Sequence, residues 1–148
     1  MYIHCYLRRG VVYIPTLGKV DGGPYYDIEP VAVVGASNTE SLRVAFAEAI
    51  KRGNPNVASI NRPNHPPPIL LKYAGLKSWN TFARDTSIWG IEERNGILQI
   101  EHFCKDRPGG WTREEEKDEN FPPGTTVAEM IERMIAILQA AATHKPSR

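Results

Sequence analysis

Asn95-Gly96 is the pair of residues that most constrains what this chain can fold into. A two-residue Asn-Gly loop selects the type I′ turn, because both residues tolerate positive φ and the twist of the turn matches that of the flanking strands. The turn sets a register: Arg94 faces Ile97, Glu93 faces Leu98, Glu92 faces Gln99, Ile91 faces Ile100, Gly90 faces Glu101 and Trp89 faces His102. Side chains alternate along each strand, so Trp89, Ile91, Leu98, Ile100, His102 and Cys104 are expected on a core face. Gly90, Glu92, Arg94, Gln99 and Glu101 are expected on a solvated one.

The remaining chain supplies more strands and two strong helices. Tyr2 to Leu7 and Val11 to Ile14 read as an N-terminal hairpin with Arg8-Arg9-Gly10 at its tip, and Pro15 to Pro24 as a turn-rich passage. Tyr25 to Val34 reads as a strand, with Pro30 marking an edge or a bulge. Leu42, Ala45, Phe46, Ala49 and Ile50 recur at helical spacing behind a cap at Asn38 or Thr39, and Gly53 ends that helix. From Asn54 to Pro68 five prolines and four asparagines rule out a regular helix or central strand, which makes a connector ending in polyproline II. Ile69 to Tyr73 reads as a short buried strand. Leu76 to Arg84 reads as a short helix with Trp79 and Phe82 inward, and Trp111-Thr112-Arg113 as a strand beside the hairpin. The last helix carries Val127, Met130, Ile131, Met134, Ile135 and Leu138 on one stripe, with Thr126 and Glu129 forming a capping box and a frayed end from Thr143 to Arg148.

The expected class is α+β: a mainly antiparallel sheet built from two β-meanders, with two amphipathic helices packed on one face. All 148 residues are expected in a single domain. Its possible pseudo-repeat halves, 1–53 and 76–142, are joined by the Pro/Asn-rich connector 54–68.

Composition excludes several functional classes. Eighteen basic and seventeen acidic residues leave a net charge of +1, which provides no global field for nucleic acid or an anionic membrane. No stretch approaches the ~18 apolar residues of a membrane span, and the first residues lack a secretory leader, so a cytoplasmic protein without membrane association is expected. Cys5 and Cys104 lie far apart without CxxC spacing and read as reduced thiols.

Catalytic signatures are absent. The sequence has no HExxH, GxSxG, Walker loop or GxGxxG. His102 and Cys104 share a strand face at i, i+2, a spacing compatible with a metal or a nucleophile–base pair, but that face is expected to be core beside Trp89. His4 and Cys5 point to opposite sides of a strand, and the adjacent Glu92 and Glu93 cannot share a face. No catalytic residue, metal or small-molecule cofactor is therefore expected. Arg8 and Arg9 near Tyr2, Tyr6 and Tyr13 support an alternative, a small nucleic-acid-binding module in which bases stack and arginines meet phosphates.

The most suggestive local feature is the run Glu114-Glu115-Glu116-Lys117-Asp118-Glu119, five acids and one lysine with a local charge of −4, flanked by Trp111 and Phe121. An acidic loop beside an aromatic anchor suits a basic protein partner: the aromatic buries area, and the carboxylates steer and hydrogen-bond. A solvated loop that keeps an edge strand soluble is the competing reading.

The succession Leu76-Lys77-Ser78-Trp79-Asn80-Thr81-Phe82, Trp89-Gly90-Ile91, Asn95-Gly96, Gly109-Gly110-Trp111 and Phe121-Pro122-Pro123-Gly124-Thr125-Thr126 resembles the small immunity proteins of bacterial contact-dependent growth inhibition systems. The resemblance spans about Lys72 to Leu138. It implies a non-enzymatic cytoplasmic antitoxin that binds a cognate toxin domain, commonly a nuclease, in a 1:1 complex and occludes its active or substrate-binding surface. Joined to the residue reading, it places the toxin contact on Trp111, Glu114, Glu115, Glu116, Asp118 and Glu119. A surface around Arg8-Arg9 and the proline connector stays open beside it.

Overall fold

In the computed structural model of the chain, residues 1–58 and 68–144 are described. The hairpin forms in the expected register: β5 (Thr86–Arg94) and β6 (Ile97–Arg107) pair from Arg94↔Ile97 to Trp89↔His102. Asn95 at φ 54° and Gly96 at φ 77° make the turn. On its other side β5 pairs antiparallel with β1 (Tyr2–Arg8), which continues into β2 (Val11–Val20) and β3 (Tyr25–Gly35). With β7 (Gly110–Arg113) the main order is β3-β2-β1-β5-β6-β7. Two-residue strands β4 (Asn56–Val57) and β8 (Glu119–Asn120) add to β2 and β6, and among the described residues only the β2–β4 pairing is parallel.

One face of the sheet is covered by the two long helices, α1 (Thr39–Arg52) and α4 (Val127–Thr143). Asn38 caps α1 by accepting from the Ser41 amide at 3.1 Å, and Thr126 caps α4 by accepting from the Glu129 amide at 3.1 Å. Phe46, Leu42, Met130, Met134 and Leu138 meet Ile3, Cys5, Val12, Ile14, Ile91 and Ile100 in one fully buried core. Each large apolar side chain here contributes about 1.5–3 kcal/mol by burial. Arg43 of α1 ties to Glu132 of α4 at the exposed rim.

The opposite face is not simply solvated, which corrects the expectation of a wet side. Two short helices, α2 (Ile69–Ala74) and α3 (Trp79–Arg84), cover one end of it. They bury Leu70, Leu71 and Phe82 against Tyr6, Tyr13 and Ile88, while Trp79 stacks on Phe82 with ring centroids 5.2 Å apart. Residues 69–73 are thus helical rather than a strand. A short apolar run has no periodicity to separate the two forms, and Gly75 in the left-handed region closes the helix. Nor do Pro15 to Gly18 form a turn. β2 runs through them, absorbing Pro15 at a register shift before Thr16, whose hydroxyl donates to the Pro30 carbonyl at 2.9 Å. The turn is confined to Asp21–Pro24. Most of the expected polyproline connector, 59–67, and the chain end, 145–148, lie outside the described residues.

Candidate functional site

The acidic run leaves the sheet at the end of β7 and is held at both flanks. Its first half forms a 3-10 turn at Glu115–Lys117, anchored by the Glu114 amide donating to the His102 carbonyl at 2.8 Å. Its second half returns as β8, paired with β6 at Gln99↔Asn120 and Ile100↔Glu119.

Arg113 is the organising side chain. Its Nη1 lies 3.0 Å from Glu101 Oε2, its Nη2 donates to Asp118 Oδ2 at 2.6 Å and Gln99 Oε1 at 3.0 Å, and its Nε donates to Asp118 Oδ2 at 3.1 Å. Glu101 and Asp118 are nearly excluded from water, with side chains 4% and 5% exposed, whereas Arg113 is 35% exposed. The guanidinium therefore neutralises two carboxylates that would be costly to bury alone. Glu101 belongs to the face expected to be wet. It is buried because its carboxylate lies over Gly90, where a Cβ would approach Oε1 to 2.3 Å. Glu101 Oε1 itself has no hydrogen-bond partner. Burial first, and then Glu101 beside it, hold the Tyr2 hydroxyl well above the usual phenol range.

A second clamp closes the far flank. Arg133 of α4 donates through Nε to Glu119 Oε1 at 2.7 Å, and His102 Nε2 lies 2.9 Å from Glu119 Oε2. The Arg133 hydrogen bond, with His102 adding to it, holds the Glu119 carboxyl below the usual range. This changes the expectation for His102 and Cys104. Both are half-buried rather than core, and His102 is bound by Glu119 instead of a backbone group or Cys104. Cys5 is fully buried and Cys104 partly so, both as free thiols. Among the described residues no three His, Cys, Asp or Glu side chains are grouped to hold a metal.

The six residues expected at a partner surface divide by geometry. Asp118 and Glu119 are occupied by Arg113 and Arg133, and Glu114 pairs with Lys117 at 3.0 Å. Trp111 is half-buried: its indole donates to the Thr86 carbonyl at 3.2 Å, and its ring meets Trp79 edge-on. Glu115 and Glu116 are exposed and carry no ion pair among the described residues.

The nucleic-acid alternative loses two of its three tyrosines as stacking surface, while Tyr2 stays half-buried. Tyr6 and Tyr13 lie buried beneath α2 and α3, and Tyr6 donates its hydroxyl to Asp27 Oδ2 at 2.6 Å. Arg9 pairs with Asp85 at 3.0 Å.

Solved proteins of similar fold are known. A chain of a CdiA-CT/CdiI toxin and immunity complex from Yersinia pseudotuberculosis superposes with a TM-score of 0.62 at 8% identity, covering 95% of each chain. This chain shares its fold with a component of a bacterial toxin–immunity pair. A protein of unknown function from Neisseria meningitidis superposes with a TM-score of 0.67 at 14% identity, over 95% of this chain and 93% of that one. At such identities the likeness is one of fold. It includes the N-terminal half, beyond the segment that carried the sequence resemblance. No family model and no curated protein matches the sequence. Among the described residues no helix is long and apolar enough to cross a membrane.

The residue that sequence reasoning missed is Arg113. Its spacing to Glu101 and Asp118 has no motif, and the closure depends on β7 bringing Arg113 opposite Phe103, two residues from Glu101 along β6.

Proposed function

We propose that the protein is a non-enzymatic immunity protein, which binds a cognate bacterial toxin domain in the cytoplasm and occludes its active or substrate-binding surface. The observation that carries this reading is the fold likeness to a toxin–immunity complex chain over 95% of both chains. The toxin is a nuclease in this reading, because a cationic nucleic-acid cleft is what an acidic loop complements. Glu115 and Glu116 are its contact residues, with Glu114 beside them. Trp111, Asp118 and Glu119 belong to the same surface as its frame, since their polar atoms are bound within the chain. A loop already held in place loses little conformational freedom on binding, which favours affinity.

The test is to express the chain with the product of the reading frame next to its gene. A stable 1:1 complex on size exclusion, together with rescue of growth from that product, is the expected result. Growth arrest that persists despite co-expression, with no complex formed, refutes the reading.

A further inference from the structure

A second charged feature lies at the other end of the β6–β7 hairpin. Asn80 and Arg84 of α3 and Lys105, Arg107, Pro108 and Gly109 of the hairpin turn line a cleft of about 380 Å³. The Trp79 indole donates to the Gly109 carbonyl at 2.9 Å and fastens the turn to α3, so the two walls are fixed relative to each other.

The positive charge in this cleft is under-compensated. Among the described residues the Arg84 guanidinium has neither a hydrogen bond nor an ion pair. The Lys105 ammonium donates to the neutral carbonyl of Arg84 and forms no ion pair. Its pKa is lowered by partial burial, against a smaller opposing effect of Asp85. Arg107 is matched by its neighbour Asp106, with Nη1 at 3.0 Å from Oδ1. Two cations thus flank an open cleft whose walls are alkyl stems and a proline ring, where one carboxylate can form charge-assisted hydrogen bonds with both.

We infer that this cleft is an anion-accepting docking site for an acidic segment of a partner polypeptide, with Arg84 and Lys105 as its carboxylate ligands. The partner's identity as a toxin rests on the proposed function; the chemistry of the cleft does not. A protein fits better than a nucleic acid. The nearby rings of Trp79, Phe82 and Trp111 pack against one another, leaving no aromatic platform for bases, while the apolar walls suit aliphatic side chains flanking a carboxylate. One hairpin would then offer a cationic cleft at its turn and an acidic loop beyond its second strand. That arrangement fixes a partner's orientation as well as its affinity.

The full chain, labelled with nitrogen-15, is titrated separately with three probes: a short capped peptide alternating glutamate and leucine, its glutamine counterpart, and a single-stranded oligothymidylate. Saturable amide shifts at Lys105, Gly109 and Gly110 are expected with the glutamate peptide and not with the glutamine one. Arg84→Ala is expected to weaken the glutamate peptide about tenfold, the effect of one charge-assisted bond, and Lys105→Gln similarly. Both side chains are exposed, so folding is retained, and the unchanged remainder of the spectrum verifies it. Equal binding of the two peptides, absence of shifts at the cleft, or tighter binding of the oligothymidylate each overturns the inference. No toxin enters this titration, so its failure leaves the immunity reading intact. Failure of the co-expression test likewise leaves the cleft chemistry standing.

Discussion

Arg113→Ala is the substitution with the largest expected effect for a side chain that reaches solvent. It leaves Glu101 without a counter-charge, because Oε2 is paired to Arg113 and the remaining polar neighbour is the neutral Tyr2 hydroxyl. Asp118 keeps the His102 backbone amide, which donates to Oδ1 at 3.3 Å. Breaking a fully buried ion pair costs about 3–5 kcal/mol, since the remaining charge stays desolvated. Arg113 is 35% exposed, so water enters the vacated space and screens part of the cost. A loss of about 2–3 kcal/mol is therefore expected, which lowers Tm by roughly 4–12 °C for a chain of this size. The assay is urea unfolding at pH 7 of Arg113→Ala, Glu101→Gln and the double variant. Glu101→Gln removes the stranded charge, so the double variant should recover about 1 kcal/mol or more relative to the sum of the singles. A loss below about 0.5 kcal/mol for Arg113→Ala, or strict additivity in the cycle, would show that the carboxylates do not depend on this guanidinium.

Glu115→Ala with Glu116→Ala should leave stability within about 0.5 kcal/mol, because neither side chain is paired. It should slow association with the proposed toxin partner severalfold at low ionic strength and flatten its salt dependence, read by stopped-flow; unchanged rates would remove the loop from the encounter. Arg133→Met tests the second clamp. Glu119 has its folded pKa depressed below the ordinary 4.5, so its contribution is present above that value and lost as pH falls through the folded one. With Arg133 half exposed, the variant should lose about 0.5–1 kcal/mol at pH 7 and progressively less as pH falls from 4.5 through the lowered folded value, and a pH-independent deficit would contradict the linkage. Gly90→Ala places a methyl 2.3 Å from Glu101 Oε1 and 3.1 Å from Tyr2 Cε1, contacts that cannot be relieved without moving a carboxylate held by Arg113. A destabilisation of about 1–3 kcal/mol is expected on chemical unfolding, and a neutral result would mean that Glu101 is not confined.

The hairpin and the two long helices were legible because local chemistry specifies them: a turn that needs two positive φ values, and apolar stripes with caps at their ends. The readings that failed needed tertiary information. Ile69 to Tyr73 is too short for periodicity to separate helix from strand, and Pro15 is accepted in β2 because a register shift falls next to it. Alternation assigned Glu101 to a face correctly. It could not say that Tyr2 and Arg113 would cover that face, because covering depends on which strands become neighbours.

The acidic run shows the same limit on the functional side. Counted along the chain it carries −4, yet Arg113 lies just before it, Lys117 within it and Arg133 one helix later, and each takes a carboxylate. Among the described residues two carboxylates are left without an ion pair at the apex, those of Glu115 and Glu116. On the proposed reading a partner thus meets a small anionic point on a frame fixed by three ion pairs rather than a diffuse acidic loop. Steering from two charges extends little beyond a Debye length of about 8 Å at physiological salt. Orientation therefore has to come from contacts nearer the surface, and the cationic cleft at the turn of the same hairpin is placed to supply one of opposite sign.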